Sequence, residues 1–245
     1  MENKAEKVKP YSKEIDKKQQ VEKMFDNIAS KYDFLNHLLS MGIDRSWRKN
    51  LIELLSETHP GKILDVATGT GDLAIQTSKA LPDAKITGLD ISQGMLDIGE
   101  RKILKNNLSG KIEMVNGDSE AMQFEADSFD AVTVAFGVRN FENLNKGLKE
   151  MNRVLRSGGK VFILEFSRPR SKVFGAVFNF YFKYVLPLIG KITSKDPKAY
   201  KYLFESVQAF PAYEDFLQIL QEAGFKSNIY KIQTLGICSI YIGEK

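Results

Sequence analysis

The stretch of sequence that decides the fold is Ile63-Leu64-Asp65-Val66-Ala67-Thr68-Gly69-Thr70-Gly71-Asp72. Its first half is typical of a short, largely apolar strand, and a pattern with helical spacing begins at Asp72. Glycines in the turn between them let the backbone approach a ligand closely, and the amide groups at the start of a helix are free to donate hydrogen bonds. A strand, a glycine turn and a helix in this order predict an α/β domain that binds a nucleoside.

The same alternation of short apolar runs and helical patterns continues beyond this loop. Strand-like runs lie at Lys62–Val66, Lys85–Leu89, Ile112–Val115, Ala131–Ala135 and Lys160–Phe166. Helical patterns between them cover Asp72–Leu81, Ser92–Asn107 and Asn143–Leu155. The pair Gly158-Gly159 is expected to end the last of these helices. Alternating strands and helices predict a mostly parallel sheet with right-handed crossovers.

The C-terminal part of the chain has a different pattern. Lys226–Ile232 and Ile237–Ile242 are rich in β-forming residues and are separated by Gln-Thr-Leu-Gly. This spacing suits a hairpin, so it predicts an antiparallel edge on the parallel sheet.

The N-terminal part of the chain sets the expected domain boundaries. Residues 1–20 are rich in Lys and Glu, which predicts a mobile lead-in. From Val21 apolar residues recur at helical spacing, which predicts a helical cap over residues 21–58. We expect one α/β domain over residues 21–245, with the cap lying over the binding cleft as a lid and a helical insertion over residues 171–210.

Composition excludes several classes of protein. The 245 residues carry a net charge of +4, which is only weak evidence for an acidic partner. A single cysteine, Cys238, excludes an internal disulfide and favours a cytoplasmic location, and the first residues do not resemble a signal peptide. His37 and His59 are the only histidines, and no Cys/His cluster is present, so no metal site is predicted.

Acidic residues near the loop narrow the choice of ligand. Gly69–Ala74 also matches the dinucleotide fingerprint, so NAD is one alternative. Asp90 ends the second predicted strand, where a carboxylate can accept both hydroxyl protons of a ribose. Asp65 can pair with a cationic amino-acid group and would repel a pyrophosphate. Asp118 and Ser119 follow the third strand and are placed to meet an adenine amino group, although Asp118 also suits a turn cap.

Further segments in a fixed order carry a family resemblance. They are Met24–Asp33, Gly42–Arg48, the glycine loop, Phe136–Asn140, Arg153–Gly159, Leu164–Ser167, Tyr200–Leu203 and Glu205-Ser206. With these segments the chain resembles the UbiE/MenG-type C-methyltransferases of menaquinone and ubiquinone biosynthesis from Val21 to Lys245. The segments Lys31-Tyr32-Asp33 and Gly137-Val138-Arg139-Asn140 are much more specific than the glycine loop, which many methyltransferases share.

The resemblance implies a class I methyltransferase fold of seven strands with a reversed last strand, and S-adenosylmethionine as the cofactor. Cofactor contacts are expected at Asp65, Gly69, Thr70, Gly71, Asp90, Asp118 and Ser119. At one further contact position some members carry serine and this chain carries Ala135, so that contact is not transferred. Thr68 replaces the first glycine of the usual turn, but Gly69 and Gly71 remain to provide backbone contacts.

The resemblance also implies transfer of a methyl group to a ring carbon of a polyprenyl quinol. Demethylmenaquinol is favoured over 2-methoxy-6-polyprenyl-1,4-benzoquinol, although no residue decides between them. Tyr32, Arg139 and Asn140 are the candidate catalytic residues, which would hold the quinol hydroxyl and a water while Arg139 favours the phenolate. Arg139 has a local ion pair as the alternative to a catalytic role, and Tyr32 has simple packing. His37 is a rival candidate for the base.

An aromatic segment with basic flanks follows the predicted sheet strands. Val173–Gly190 is strongly apolar but is interrupted by Asn179, Lys183 and Pro187, and Lys and Arg residues flank it between residues 168 and 201. One interpretation is a helix pair that covers the cleft or forms a homodimer contact. The other is peripheral membrane contact, in which aromatic side chains enter the interface and basic groups meet anionic lipid.

Two rival functions remain at this stage. A methyltransferase acting on nucleic acid would suit the positive charge, but no Arg-rich arm or RNA-binding module is recognisable, so no nucleic-acid partner is expected. An NAD(P)-dependent oxidoreductase or a catalytically silent nucleotide-binding module would suit the glycine loop alone.

Overall fold

The computed structural model describes residues 4–12, 14–40, 42–181, 184 and 197–245. The helices are α1 Lys17–Leu39, α2 Asp44–Ser56, α3 Asp72–Ala80, α4 Gln93–Lys105, α5 Leu144–Val154, α6 Lys172–Phe180, α7 Pro197–Ala209 and α8 Glu214–Glu222. The strands are β1 Lys62–Val66, β2 Lys85–Asp90, β3 Ile112–Asn116, β4 Phe129–Ala135, β5 Leu155–Phe166, β6 Lys226–Gln233 and β7 Cys238–Glu244. Short 3₁₀ turns lie at Lys4–Lys7, Val138–Asn140 and Thr234–Gly236.

The strands form one seven-stranded sheet in the order β3-β2-β1-β4-β5-β7-β6. Strands β1 to β5 pair in parallel, and β7 pairs antiparallel with both β5 and β6. The predicted parallel sheet and C-terminal hairpin are therefore confirmed. The reversed strand β7 lies inside the sheet, between β5 and β6, rather than at its edge. Its side chains Ile240 and Tyr241 are accordingly fully buried, while most of β6 is exposed.

Both faces of the sheet are covered by helices. Along β1, Ile63 packs in a cluster with α2 and α3, whereas the next residue, Leu64, packs on the opposite face with α5 and α8. This alternation follows from the two-residue period of a strand. The carboxyl ends of the parallel strands consequently meet at one edge, where the glycine loop lies.

The sequence pattern predicts that the pair Gly158-Gly159 ends the last crossover helix, and this prediction is wrong. Helix α5 ends at Val154, and β5 begins at Leu155 with an irregular register against β4. Gly158 has a φ of +75°, and a Cβ atom on Gly159 would lie 2.9 Å from two backbone oxygens. The glycines therefore permit a bulge inside β5, where side chains would not fit.

The sequence predicts a mobile lead-in over residues 1–20, but the part of this segment that the structure describes packs against the domain. Within its described part, Ala5 is buried in the main core, and the fully buried side chain of Lys17 donates from Nζ to three backbone oxygens. These acceptors belong to Ala5 at 2.8 Å and to Arg139 and Phe141 at 3.0 Å each. Composition misses this attachment because the hydrogen bonds of Lys17 join groups that lie far apart in the chain.

Replacing Lys17 with Met tests this attachment. We expect the variant to lower the free energy of unfolding by about 1–3 kcal/mol, because three buried carbonyl groups lose a charged donor. Limited proteolysis should also become faster within residues 4–20. Urea denaturation measures the first effect, and Lys23→Met, an exposed substitution on the same helix, is the matched control. Equal stability of Lys17→Met and the wild type would contradict the assigned role.

Candidate active site

The glycine loop joins β1 to α3 in a conformation that needs its glycines. Gly69 and Gly71 have φ values of +59° and +76°, in the left-handed region that favours glycine. A Cβ atom on Gly71 would lie only 3.2 Å from Met114 Cε. Thr68, which replaces a glycine found in related loops, donates its hydroxyl to Asp65 at 2.6 Å, so this substitution adds a hydrogen bond within the loop.

Asp90 links the glycine loop to the turn that precedes α4. Its carboxylate accepts hydrogen bonds from the amide of Gly69 at 2.8 Å and the amide of Ser92 at 2.9 Å. Burial raises the pKa of Asp90 to about 6, although the two amide donors oppose this shift. Because each oxygen accepts one backbone amide and still has a lone pair, Asp90 can also accept from a ligand hydroxyl.

Asp65 lies at the opposite side of the loop and is almost completely buried. Its carboxylate accepts hydrogen bonds from the hydroxyls of Thr68 at 2.6 Å and Thr133 at 2.7 Å. Burial raises the pKa of Asp65 to about 6. Because its two hydrogen-bond donors are neutral hydroxyl groups, a cationic ligand group would bind favourably beside it.

Asp118 and Ser119 follow β3 and face the cleft. One oxygen of Asp118 accepts from the amide of Glu120 at 2.8 Å, so the predicted turn cap is present. Its other oxygen accepts from Lys18 Nζ at 2.7 Å. The sequence pattern did not predict this ion pair, because Lys18 is a hundred residues away in a segment expected to be mobile.

Two adjoining cavities surround these residues. We call the larger, about 690 Å³ including solvent at its mouth, the main cavity, and the smaller, about 370 Å³, the side cavity. The predicted cofactor residues Gly69, Asp90, Asp118 and Ser119 line the main cavity. Asp65, Gly69 and Thr70 line the side cavity. Gly71 lines neither of them and instead precedes the first residue of α3.

Helix α1 covers the main cavity, where the sequence predicts a lid. Lys18, Val21, Phe25 and Tyr32 line the cavity from one face of this helix, as their spacing of three, four and seven residues requires. The carboxylate of Asp26 attaches the helix to the start of α4, because it accepts from Ser92 Oγ at 2.6 Å and from the Gly94 amide at 3.0 Å.

The three predicted catalytic residues have different surroundings. Tyr32 lines both cavities and also packs edge-on against Phe25, with 5.8 Å between ring centroids. Asn140 lines the main cavity, and its Oδ1 accepts from the hydroxyl of Tyr202 at 3.2 Å. Arg139 lines neither cavity. The structure thus brings Tyr32 and Asn140 to the same cavity and places Arg139 behind its wall.

The side chain of Arg139 makes a buried ion pair, which is the alternative that the sequence leaves open for this residue. It donates to Glu165 Oε1 at 2.9 Å and to the backbone oxygen of Phe136, and its guanidinium lies 5.5 Å from the Phe166 ring centroid. Burial raises the pKa of Glu165 even though Arg139 opposes the shift. The Nε atom of Arg139 is buried without a hydrogen-bond partner in the described part of the chain.

Glu165 and Tyr202 are contacts that the sequence analysis did not assign. Both lie within quoted family segments, and Glu165 is a charged residue directly after the apolar run Val161–Leu164, which is the signal that marks it. The side chain of His37, the rival base, lies outside the described residues. His59 is exposed near the end of α2.

Among the described residues, no group of three or more His, Cys, Asp and Glu side chains is arranged to hold a metal ion. No helix in the same part of the chain is long and apolar enough to cross a membrane.

The fold is shared with solved structures of low sequence identity. A possible histamine N-methyltransferase from Thermotoga maritima superposes with a TM-score of 0.63 at 17% identity, covering 92% of this chain and 99% of that chain. The [4+2]-cyclase SpnF superposes with a TM-score of 0.67 at 16% identity, covering 93% and 96%. Since a cyclase has this fold too, the likeness does not by itself determine the activity.

A reversed strand in a seven-stranded sheet, with a glycine loop between acidic strand ends, defines the class I methyltransferase fold. The chain belongs to the ubiE/COQ5 methyltransferase family, whose model matches residues 13–245, and its methyl donor is S-adenosylmethionine. A demethylmenaquinone methyltransferase of Bacteroides fragilis is 47% identical over 240 residues, covering 98% of each chain. The ubiquinone/menaquinone biosynthesis C-methyltransferase UbiE of Geobacter sulfurreducens is 45% identical over 231 residues, covering 94% of this chain and 90% of its own. The resemblance found in the sequence motifs is therefore confirmed.

The raised pKa values of Asp65 and Asp90 predict a pH dependence of cofactor binding. Both carboxylates must be ionised to bind an ammonium group and ribose hydroxyls well, and both become protonated as the pH falls through about 6. We expect the affinity for S-adenosylhomocysteine to be constant above pH 7 and to fall by about 10–100-fold between pH 7 and pH 5. Calorimetric titration measures it, and Asp65→Asn should show a shallower dependence. A flat wild-type profile would contradict this prediction.

Proposed function

We propose that this enzyme transfers a methyl group from S-adenosylmethionine to a ring carbon of a polyprenyl quinol, and that demethylmenaquinol is its substrate in menaquinone biosynthesis. The observation that carries the proposal is the similarity over almost the whole length to proteins called demethylmenaquinone methyltransferase in Bacteroides fragilis and in Porphyromonas gingivalis, at 47% and 45% identity. The benzoquinol alternative has no stronger support among the relatives.

The residues around the two cavities fit the proposed cofactor. Asp90 can accept the ribose hydroxyl protons, and Asp118 with Ser119 can meet the adenine amino group. Asp65 would hold the ammonium group, while Gly69 and Thr70 provide close backbone approach beside it. When bound, S-adenosylmethionine supplies an electrophilic sulfonium methyl group, so the protein needs to align that group with the acceptor carbon and to activate the acceptor.

Activation of the acceptor is the proposed task of Tyr32 and Asn140. Loss of the hydroxyl proton of a quinol increases electron density on the neighbouring ring carbon, so polar groups that hold the hydroxyl and a water favour the reaction. Tyr32 and Asn140 are the two predicted catalytic residues that face the main cavity. Arg139 joins this set because it lies between the wall residues Gly137 and Asn140, and because its buried Nε has no hydrogen-bond partner among the described residues.

Substitution of these three residues tests the catalytic assignment. We expect Tyr32→Phe and Asn140→Ala to lower kcat by about 10²-fold with little change in the affinity for S-adenosylhomocysteine, because each loses a polar contact to the acceptor. Arg139→Ala should also lower turnover. Tyr230→Phe is the matched control, since its hydroxyl pairs with Glu214 on the surface. Unchanged turnover in Arg139→Ala would remove that residue from the proposed mechanism.

The substrate is tested by complementation. A strain that lacks its own enzyme and expresses this chain should convert demethylmenaquinone to menaquinone, as measured by mass spectrometry of extracted quinones. Methylation of the benzoquinol precursor alone would favour the ubiquinone pathway instead. Methyl transfer to total RNA in a parallel assay, with no quinone product, would contradict both assignments.

We further propose a peripheral contact with the cytoplasmic face of the membrane through residues 168–201. The described part of this segment includes three exposed apolar side chains, Val173 at 77%, Phe180 at 61% and Tyr184 at 57% exposure. Basic residues flank them in the sequence, of which Arg170 and Lys201 form ion pairs with Glu214 and Glu205. The others are Arg168, Lys172 and Lys198. A polyprenyl quinol resides in the bilayer, so a contact of this kind would bring the substrate tail to the enzyme.

Vesicle co-sedimentation tests the membrane contact. The protein should pellet with anionic vesicles at low salt and be released at high salt, because the basic groups contribute through screened electrostatics. Val173→Glu combined with Phe180→Glu should abolish pelleting. If the wild type does not pellet at low salt, the contact is excluded. Loss of a dimer in the same variant by sedimentation velocity would assign the segment to a homodimer interface instead.

A further inference from the structure

One cationic side chain lines the side cavity, and the sequence analysis gave it no role although it lies in the family segment Gly42–Arg48. Arg48, on α2, lines this cavity opposite the loop residues, together with the carboxylates of Asp65 and Asp72. Only 5% of the Arg48 surface is exposed. An arginine buried at a cavity wall is costly to desolvate unless a partner compensates its charge, so its position needs an explanation.

The surroundings of Arg48 hold its guanidinium in place. Asp44, one helical turn earlier, is its closest partner, and Asp44 in turn accepts from Ser40 Oγ at 2.5 Å. Arg48 Nη2 lies 3.9 Å from Asp72 Oδ2, and the guanidinium carbon lies 6.0 Å from the centroid of the Phe136 ring. A planar group fixed on several sides can present its remaining donors to the cavity without losing side-chain freedom on binding.

The charges of the side cavity suit a zwitterion. Asp72 forms an ion pair with Lys102, and Arg48 forms one with Asp44. Among the described residues, Asp65 accepts side-chain hydrogen bonds from two hydroxyl groups. The cavity therefore offers an acidic group for a cation and a guanidinium fork for an anion, and it adjoins the main cavity through shared wall residues that include Tyr32 and Gly69.

We propose that Arg48 binds the α-carboxylate of the amino-acid part of S-adenosylmethionine, next to the ammonium group at Asp65, and that Asp44 is a positioning residue for Arg48. This inference rests on the proposed function, because it assumes that the adenosine part occupies the main cavity. Arg48 is better suited than Lys102, the other nearby cation, because Lys102 does not line the side cavity. A guanidinium also binds a carboxylate with two parallel hydrogen bonds.

Ligands that differ only in the amino-acid part provide the test. S-adenosylhomocysteine carries both charged groups, its decarboxylated analogue keeps only the ammonium group, and methylthioadenosine lacks both. We expect Arg48→Met to weaken S-adenosylhomocysteine binding by about 10–100-fold, as for one lost charge-assisted hydrogen-bonding group. The affinities for the decarboxylated analogue and methylthioadenosine should change less than about threefold. Arg48→Lys should lie between Arg48→Met and the wild type, because it keeps the charge and loses the fork.

Two further variants keep the test decisive. Arg48→Met leaves Asp44 buried without its partner, so the double variant Asp44→Asn with Arg48→Met removes both charges and should fold if the single variant does not. Arg45→Met changes an exposed arginine on the same helix and is the matched control. Asp65→Asn should weaken the binding of the decarboxylated analogue as much as that of S-adenosylhomocysteine.

The outcomes separate this inference from the proposed function. If the wild type binds none of the three ligands, the proposed cofactor site is wrong. If the wild type binds S-adenosylhomocysteine and the Arg48 variants weaken all three ligands equally, the site stands and Arg48 is a structural residue. Loss confined to S-adenosylhomocysteine supports the carboxylate contact.

Discussion

The hydrogen bonds that Asp90 accepts from the Gly69 and Ser92 amides connect the parts from which the site is built. They join the glycine loop after β1 to the turn before α4, so that the ends of two adjacent strands are held at a constant separation. Gly69 is a wall residue of both cavities, so its position determines the shape of each. Burial of the carboxylate is unfavourable by itself, and the two amide donors compensate part of that penalty.

The cover of the cleft depends on polar contacts over long sequence distances. Lys17 joins the N-terminal segment to the turn that carries Arg139 and Asn140, and Lys18 and Asp26 fasten the same helix to the far side of the main cavity. The N-terminal residues therefore help to shape the main cavity on two sides. Apolar side chains of the same helix, Val21 and Met24, also pack against Tyr202 of α7, so polar and apolar contacts together hold α1 over the cavity.

Arg139 illustrates how packing changes the meaning of a motif. The sequence places it next to Asn140 at the end of β4, which suggests that both side chains reach the ligand edge of the sheet. In the structure, the 3₁₀ turn at Val138–Asn140 directs Asn140 to the cavity and Arg139 to Glu165. Adjacent residues in a tight turn point in different directions, so a motif can mark a catalytic segment without placing each of its side chains in the site.

The sequence by itself determined the strand, glycine turn and helix, the parallel sheet with its hairpin, and the position of the carboxylates Asp65 and Asp90 beside the glycine loop. Each of these depends on local spacing or on the end of a strand. The acceptor class came from family segments rather than from any physical pattern. The tertiary structure decided the attachment of residues 4–18, the pairing of Arg139 with Glu165, and the place of Arg48 in the side cavity. These contacts join groups far apart in the chain or depend on the packing of whole helices, and local periodicity carries no information about such distances.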